Sequence, residues 1–196
     1  MEIILASGSP RRRELLERMG LRNFQIVVPQ TDETLDPVLS PAEQVQRLSK
    51  EKAAAVAARS APDSLVIAAD TVVALDGTIL GKPAGEEEAL QMLSALSGVR
   101  HQVYTGLTVQ QGSRRVTEYE QTAVTFRALS REDIVNYIAA GESLDKAGAY
   151  GIQGCGALLV RGIEGDYYNV MGLPVAHLAD ILRRFGVDCL RRCAGR

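Results

Sequence analysis

At 196 residues, 46% hydrophobic and 23% charged, the chain is long enough for one substantial core in one large or two small lobes. Its 22 Lys and Arg against 24 Asp and Glu leave a net charge of −2, which speaks against gripping nucleic acid or anionic lipid through an overall field but leaves room for a local basic pocket. No apolar run approaches the roughly 20 residues of a membrane helix. The start, MEIILAS, lacks a basic leader. Cys155, Cys189 and Cys193 give an odd count without paired metal spacing, so a reducing, cytoplasmic setting is expected.

The first elements frame an anion site. Glu2–Ala6 reads as a short strand, and Arg11–Met19 as a helix stopped at Gly20. Ser9 is an N-cap candidate and Pro10 suits the first helical position. A strand, a Gly/Ser turn and a helix start offer free N–H groups and the positive end of a helix dipole to an anion. Arg11, Arg12 and Arg13 add three cations, which oppose that dipole unless a phosphate is bound there. A solvated first turn is the alternative.

Phe24–Val28 reads as a strand, followed by the polar loop Thr31–Asp32–Glu33–Thr34. Ser40, Pro41 and Glu43 open a long helix through Ala58 with a capping box. On pattern alone, its Lys50 and Lys52 are solvated surface.

The stretch LVIAADTVVALDGTILGKP, residues 65–83, is the centre of the chain. Leu65–Ala69 reads as a buried strand that ends on Asp70 and Thr71, where an α/β sheet delivers its strand ends to a ligand. A second strand, Val72–Leu75, turns at Asp76–Gly77 and returns through Thr78–Leu80 to Gly81–Lys82–Pro83. One hairpin therefore presents a carboxylate, a hydroxyl and an ammonium, a set suited to a metal-bound phosphate. Asp70 and Glu33 are the carboxylates singled out, because hard divalent cations take carboxylate oxygens together with phosphates and water. Lys82, Lys52 and the Arg11–Arg12 pair could balance the phosphate charge. Neither GxxxxGK[ST] nor GxGxxG is present.

Further on come a helix over Gly85–Leu96 and two antiparallel strands, His101–Gln110 and Val116–Phe126. A helix capped by Ser130 covers Arg131–Ala140, and DKAGAYGIQG (145–154) has no period. A hairpin from Ala157 to Tyr168 around Glu164–Gly165 and a helix over Pro174–Phe185 follow; the basic tail from about 189 is expected to be disordered. The Gln153 amide both donates and accepts, so it could pair with a base edge or tie down its loop. Serine nucleophile chemistry finds little support, with only His101 and His177 as bases and no GxSxG elbow. His177 reads as a packing or rim residue, Cys155 as structural.

Taken together, SGSPRR (7–12), AADT (68–71), GKP (81–83), DKAGAYGIQG (145–154) and NVMGLP (169–174) resemble the Maf family of nucleoside triphosphate pyrophosphatases, in family order and over nearly the whole chain. The resemblance implies one α/β domain over 1–196, related to inosine triphosphate pyrophosphatases: a long mixed sheet flanked by helices, with two lobes around a central cleft. It implies hydrolysis of a nucleoside triphosphate to the monophosphate and pyrophosphate with a divalent cation, Mg²⁺ or Mn²⁺, by a cytoplasmic homodimer. Asp70 would be the general base near the metal and Glu33 the second acidic group of the metal site. Ser9, Arg11 and Arg12 would form the phosphate-gripping loop, with Lys52 and Lys82 as cleft lysines. Arg12, Thr71 and Gln153 fall at positions linked to substrate choice. The GAYGIQG form resembles the branch that prefers dTTP and UTP over the branch acting on 7-methyl-GTP. Whether Asp70 takes the water proton or binds the metal directly stays open at this level. Two rival classes stand beside it: a non-catalytic nucleotide-binding regulator of septum formation, and a different phosphohydrolase that removes one phosphate or acts on sugar nucleotides; stable nucleic-acid binding is not expected from an acidic chain with few aromatics.

Overall fold

The apolar runs near residues 3 and 65 pair with each other. In the computed structural model, which describes residues 1–195, β1 (Ile3–Ala6) lies parallel to β3 (Leu65–Leu75), with Ile3 opposite Leu65 and Ala6 opposite Ala68. All four residues of β1 are buried, as expected of a parallel strand covered on both faces. β2 (Gln25–Ile26) pairs parallel to β1 but is only two residues long, both exposed, at the end of the strand order. The longer strand expected over Phe24–Val28 is not formed, because an edge position with exposed side chains gives little burial to extend it.

Helix starts follow their caps. α1 (Pro10–Arg18) begins at Ser9 with Pro10 in its first turn, and α2 (Pro41–Ala57) begins on the complete Ser40–Glu43 capping box. Ile4, Ala6, Ala53, Val56, Val66 and Ala68 form one buried cluster that seats α2 on β1 and β3.

β3 departs from expectation. Leu65–Leu75 is one continuous strand of 11 residues, so Asp70 and Thr71 lie inside it, not at a strand end. Thr71, Val72 and Val73 are β-branched and favour extended backbone, and the charge of Asp70 is met by a lysine, so nothing forces a break. The expected return strand is present: β4 (Thr78–Leu80) pairs antiparallel with Val73–Leu75. Asp76 and Gly77 both have positive φ, 49° and 81°, as a two-residue type I′ turn requires.

α3 (Glu86–Leu96) leads to β5 (Arg100–Gln111) and β6 (Arg114–Phe126), and α4 (Arg131–Ala139) starts on a Ser130–Asp133 capping box. β7 (Val160–Glu164) pairs antiparallel with β6. Among the described residues the seven strands form one mixed sheet in the order β2-β1-β3-β5-β6-β7, with β4 on β3. The hairpin expected over Ala157–Tyr168 does not form. Its second arm is a helix, α5 (Tyr167–Met171). The Thr122 hydroxyl accepts the Asp166 N–H at 3.0 Å and donates to the Asp166 carbonyl at 3.1 Å, while the Asp166 carboxylate accepts the Tyr168 N–H at 2.7 Å. That capture turns the chain into a helix before a strand can start.

α6 (Val175–Arg184) is followed by a short helix, α7 (Cys189–Cys193), where disorder was expected. Asp188 caps it by accepting the Arg191 N–H at 3.1 Å, and Cys189 is buried. Arg196 of the same tail lies outside the described residues.

The chain divides into two compact units, one built from Met1–Asp70, Thr105–Glu120 and the stretch from Gly172 on, the other from Thr71–Tyr104 and Gln121–Met171. The second has its own core, in which Val73, Leu93, Val103, Phe126, Tyr137 and Tyr150 take part. His101 belongs to it. Its ring stands edge-on to Phe126 and Tyr150 and hydrogen-bonds the Tyr150 hydroxyl at 2.8 Å. Burial lowers its pKa to about 4, which leaves it a neutral core residue at pH 7.

In the first unit β5 passes close to α2. A Cβ on Gly106 would stand 2.2 Å from the Val45 carbonyl oxygen and 2.4 Å from its carbon, both backbone atoms of α2. Beside it the hydroxyls of Ser49, Thr108 and Thr117 form a chain with 3.0 Å links. Gly106→Ala must therefore push helix from strand. We expect a loss of at least about 3 kcal/mol, seen in thermal unfolding as a fall of about 6–12 °C.

Candidate active site

Lys52 is the residue on which the site converges. Along α2, Val45, Leu48, Lys52 and Val56 share one buried stripe at helical spacing, so the lysine points inward with the apolar residues. Its side chain is 7% exposed, and its ammonium donates to Asp70 Oδ1 at 2.6 Å and meets Glu33 Oε1 at 2.8 Å. Asp70 is buried to 10% side-chain exposure, whereas Glu33, on its polar loop, keeps 52%. A buried charge is tolerated when paired. Three elements distant in sequence thus supply one cation and two carboxylates to a single point. The surface reading of Lys52 on pattern alone is corrected. Its place in the apolar stripe was the signal available in the sequence.

The loop after β1 brings the arginines. Ser9 caps α1 by accepting the Arg12 N–H at 3.4 Å, and its own N–H donates to Ser7 Oγ at 3.2 Å. Arg12 reaches two distant backbone carbonyls: Nε donates to the Gly172 carbonyl and Nη1 to the Ala69 carbonyl, each at 2.8 Å, with Ser7 Oγ at 3.4 Å from Nη1. Burial lowers the Arg12 pKa, and the charges of Asp70 and Glu33 push it back up while Arg11 lowers it. The same four charged groups therefore act on one another in the first unit. Arg12 spends two donors on backbone carbonyls, a fastening that the sequence did not suggest, since its partners are peptide oxygens 57 and 160 residues away. Arg13 instead pairs with Glu17 at 2.9 Å on the exposed face of α1.

Seven of these groups lie in the first unit: Ser7, Ser9, Arg11, Arg12, Glu33, Lys52 and Asp70. The other three candidates belong to the second unit. Thr71 follows Asp70 in β3 and is half-buried, Lys82 is exposed after β4, and Gln153 is half-buried just before a short 3₁₀ turn at Gly154–Leu158. His177 is part-buried, its ring nitrogens 2.7 Å from Glu118 and 3.0 Å from Glu120. Cys155, Cys189 and Cys193 are free thiols.

Among the described residues no group of three or more His, Cys, Asp or Glu is placed to hold a metal ion. Asp70 and Glu33 nonetheless approach the same ammonium, which puts two hard carboxylate donors around one cationic position. Mg²⁺ is commonly held by one or two carboxylates, with phosphate and water oxygens completing its shell, and Mn²⁺ shares the preference for oxygen. The donor set therefore fits a divalent ion that arrives with a polyphosphate. The cations that act on these carboxylates, Lys52 and Arg12, suit the phosphates themselves.

Comparison with known proteins agrees with this chemistry. The family described as "Maf-like protein" matches residues 2–185. A protein of Bacillus cereus (strain B4264) named dTTP/UTP pyrophosphatase is 50% identical over 187 residues, covering 95% of this chain and 97% of that protein. A protein of the same name from Bacillus thuringiensis subsp. konkukian (strain 97-27) is 49% identical over 187 residues, with the same coverage.

Proposed function

The chain belongs to the Maf-like protein family, and from that premise we propose that it hydrolyses dTTP and UTP to the nucleoside monophosphate and pyrophosphate. The observation that carries the reading is the Asp70–Lys52–Glu33 cluster, whose two carboxylates act on the charge of Arg12 in the first turn of α1. Identity of about half over 95% of the chain to proteins named dTTP/UTP pyrophosphatase supports the substrate.

Asp70 takes the proton of the attacking water, whose oxygen bonds to the α-phosphorus as the bond to the bridging oxygen of pyrophosphate breaks. Asp70 and Glu33 are the carboxylates that would hold a divalent ion, which would neutralise charge on the triphosphate oxygens. Lys52 balances the two carboxylates and offers its remaining ammonium proton to a phosphate oxygen. Ser9, Arg11 and the α1 N-terminus grip the phosphates. Arg12 fixes the peptide before Asp70 and the turn at Gly172, which holds the base in place. Thr71, Lys82 and Gln153 complete the substrate contacts, with Gln153 reading the carbonyl and N3–H edge of the pyrimidine; for these three the family resemblance is the support. The same resemblance underlies a cytoplasmic homodimer. Among the described residues no helix is long and apolar enough to cross a membrane, and the net charge of −2 argues against stable nucleic-acid binding.

The test is product analysis with dTTP, UTP, CTP, GTP, ATP and 7-methyl-GTP in Mg²⁺ or Mn²⁺. Pyrophosphate and monophosphate should appear in equal amounts, fastest from dTTP and UTP, and stop when the metal is chelated. Orthophosphate as the first product would overturn the reaction. Turnover of 7-methyl-GTP alone would retain the reaction and replace the base. A folded protein that binds nucleotides without turnover would point to the regulator.

A further inference from the structure

The glycine-rich segment that carries Gln153 is held by one carboxylate. Glu142, in the turn after α4, accepts the Cys155 N–H on Oε1 at 3.1 Å and the Gly156 N–H on Oε2 at 3.4 Å. The carboxylate lies where a side chain at residue 154 would be: a Cβ on Gly154 would stand 2.4 Å from Oε1, and Gly154 has a φ of +61°. On the other flank of Gln153, the Gly151 N–H donates to the Tyr137 hydroxyl at 3.1 Å. Lys146 closes the arrangement by donating to the Glu142 carbonyl at 2.7 Å and to Asp145 at 2.5 Å. Gly156 packs so tightly on the Gly151 carbonyl that a Cβ there would be 1.7 Å from its oxygen. The backbone is thus tied on both sides of Gln153, and its tethers come from α4 and the turn that follows it.

We infer that Glu142 is a positioning residue for base selection: by holding the amides of Cys155 and Gly156 it fixes the backbone from which Gln153 presents its amide to the pyrimidine. This rests on the reading of Gln153 as the base-facing residue in the proposed reaction. A glutamine amide discriminates only if its donor and acceptor meet the base in register, because a mismatched base then leaves buried polar groups unpaired. A loop ordered beforehand also avoids the entropy cost of ordering it on binding. The two amides that Glu142 holds belong to the segment that carries Gln153, so its loss should act on recognition of the base and spare the chemical step.

Glu142→Ala opens both amide contacts. Glu142→Gln keeps the shape and one acceptor but sets an NH₂ against the second N–H. Steady-state kinetics on UTP and CTP, with thermal unfolding and amide hydrogen exchange over residues 151–156, decide the matter. We expect the UTP-over-CTP ratio of kcat/KM to fall about tenfold in Glu142→Ala and by less in Glu142→Gln. The loss should appear mainly as a raised KM for UTP, with kcat changed less than about threefold and faster exchange in the segment. An unchanged ratio in a folded variant, or an equal fall for every nucleotide, would overturn the inference while leaving the proposed reaction intact. Should Glu142→Ala not fold, Glu142→Gln alone decides by the same ratio. A wild-type protein that releases no pyrophosphate from any nucleotide would overturn the proposed function, and this inference with it.

Discussion

Asp70→Asn should reduce pyrophosphate release from dTTP and UTP by about 1,000-fold or more with the protein still folded. The substitution keeps the size of the side chain but removes the proton acceptor and one negative charge. Positioned general bases are worth about 100- to 10,000-fold, and the loss of a carboxylate toward the divalent ion adds to that. The fold should tolerate it, because Lys52 keeps its 2.8 Å contact with Glu33 and the asparagine oxygen can still accept from the ammonium. Single-turnover measurement of pyrophosphate, beside thermal unfolding and nucleotide binding, checks the expectation. Loss of turnover with unfolding near the wild-type temperature and nucleotide still bound assigns the defect to the chemical step. Residual activity within tenfold of wild type would move the base to another group.

Lys52→Met should show the largest effect on stability. The methionine fills similar space, but the Asp70 carboxylate, 10% exposed, loses its cation. Removing one member of a buried pair costs about 3–5 kcal/mol, most of it from the charge left behind. For a chain of this length that is a fall of about 6–20 °C in unfolding temperature. Glu33 contributes little to the cost, being half exposed. Two further measurements separate this cause from simple mispacking. The double variant Lys52→Met, Asp70→Asn should recover most of the lost stability, since no buried carboxylate is left without its lysine. Mg²⁺ should raise the unfolding temperature of Lys52→Met more than that of the double variant, because binding to the folded state alone stabilises it. Equal destabilisation in the single and double variants would show that the lysine stem, and not its charge, holds α2 in place.

These outcomes bear on how the site is encoded. Local signals were sufficient for its frame. Ser9 with Pro10, and Ser40 with Glu43, mark the starts of α1 and α2 because capping satisfies N–H groups from neighbours only three residues away. Asp76–Gly77 marks the β3–β4 turn because few residues adopt two successive positive φ values. The candidate residues Ser9, Arg12, Asp70 and Lys82 were legible from their neighbours, and Lys52 only through the family resemblance. Its inward face follows from a stripe in which Val45, Leu48 and Val56 are all buried, yet no spacing rule says which carboxylate would meet it.

Where local and distant forces competed, the tertiary structure decided. Asp70 sits inside a continuous strand and not at its end, because a lysine 18 residues earlier in the chain neutralises it. Residues 167–171 form a helix and not the return arm of a hairpin, because Thr122 captures Asp166 from 44 residues away. The tail at 189–193 is helical where composition suggested disorder: its Cys193 N–H group lies 2.9 Å from where a Gly20 side chain would begin, so it packs on the end of α1. Arg12 fastens carbonyls that carry no side-chain signature at all. The sequence by itself determined the helix starts and the tight turn, since those depend on side-chain type and short spacing, and its family motifs pointed to the class of chemistry. Only the tertiary structure decided the partners of Lys52, Asp70 and Arg12, since a charge or a backbone donor is satisfied by whatever the fold brings within hydrogen-bond reach.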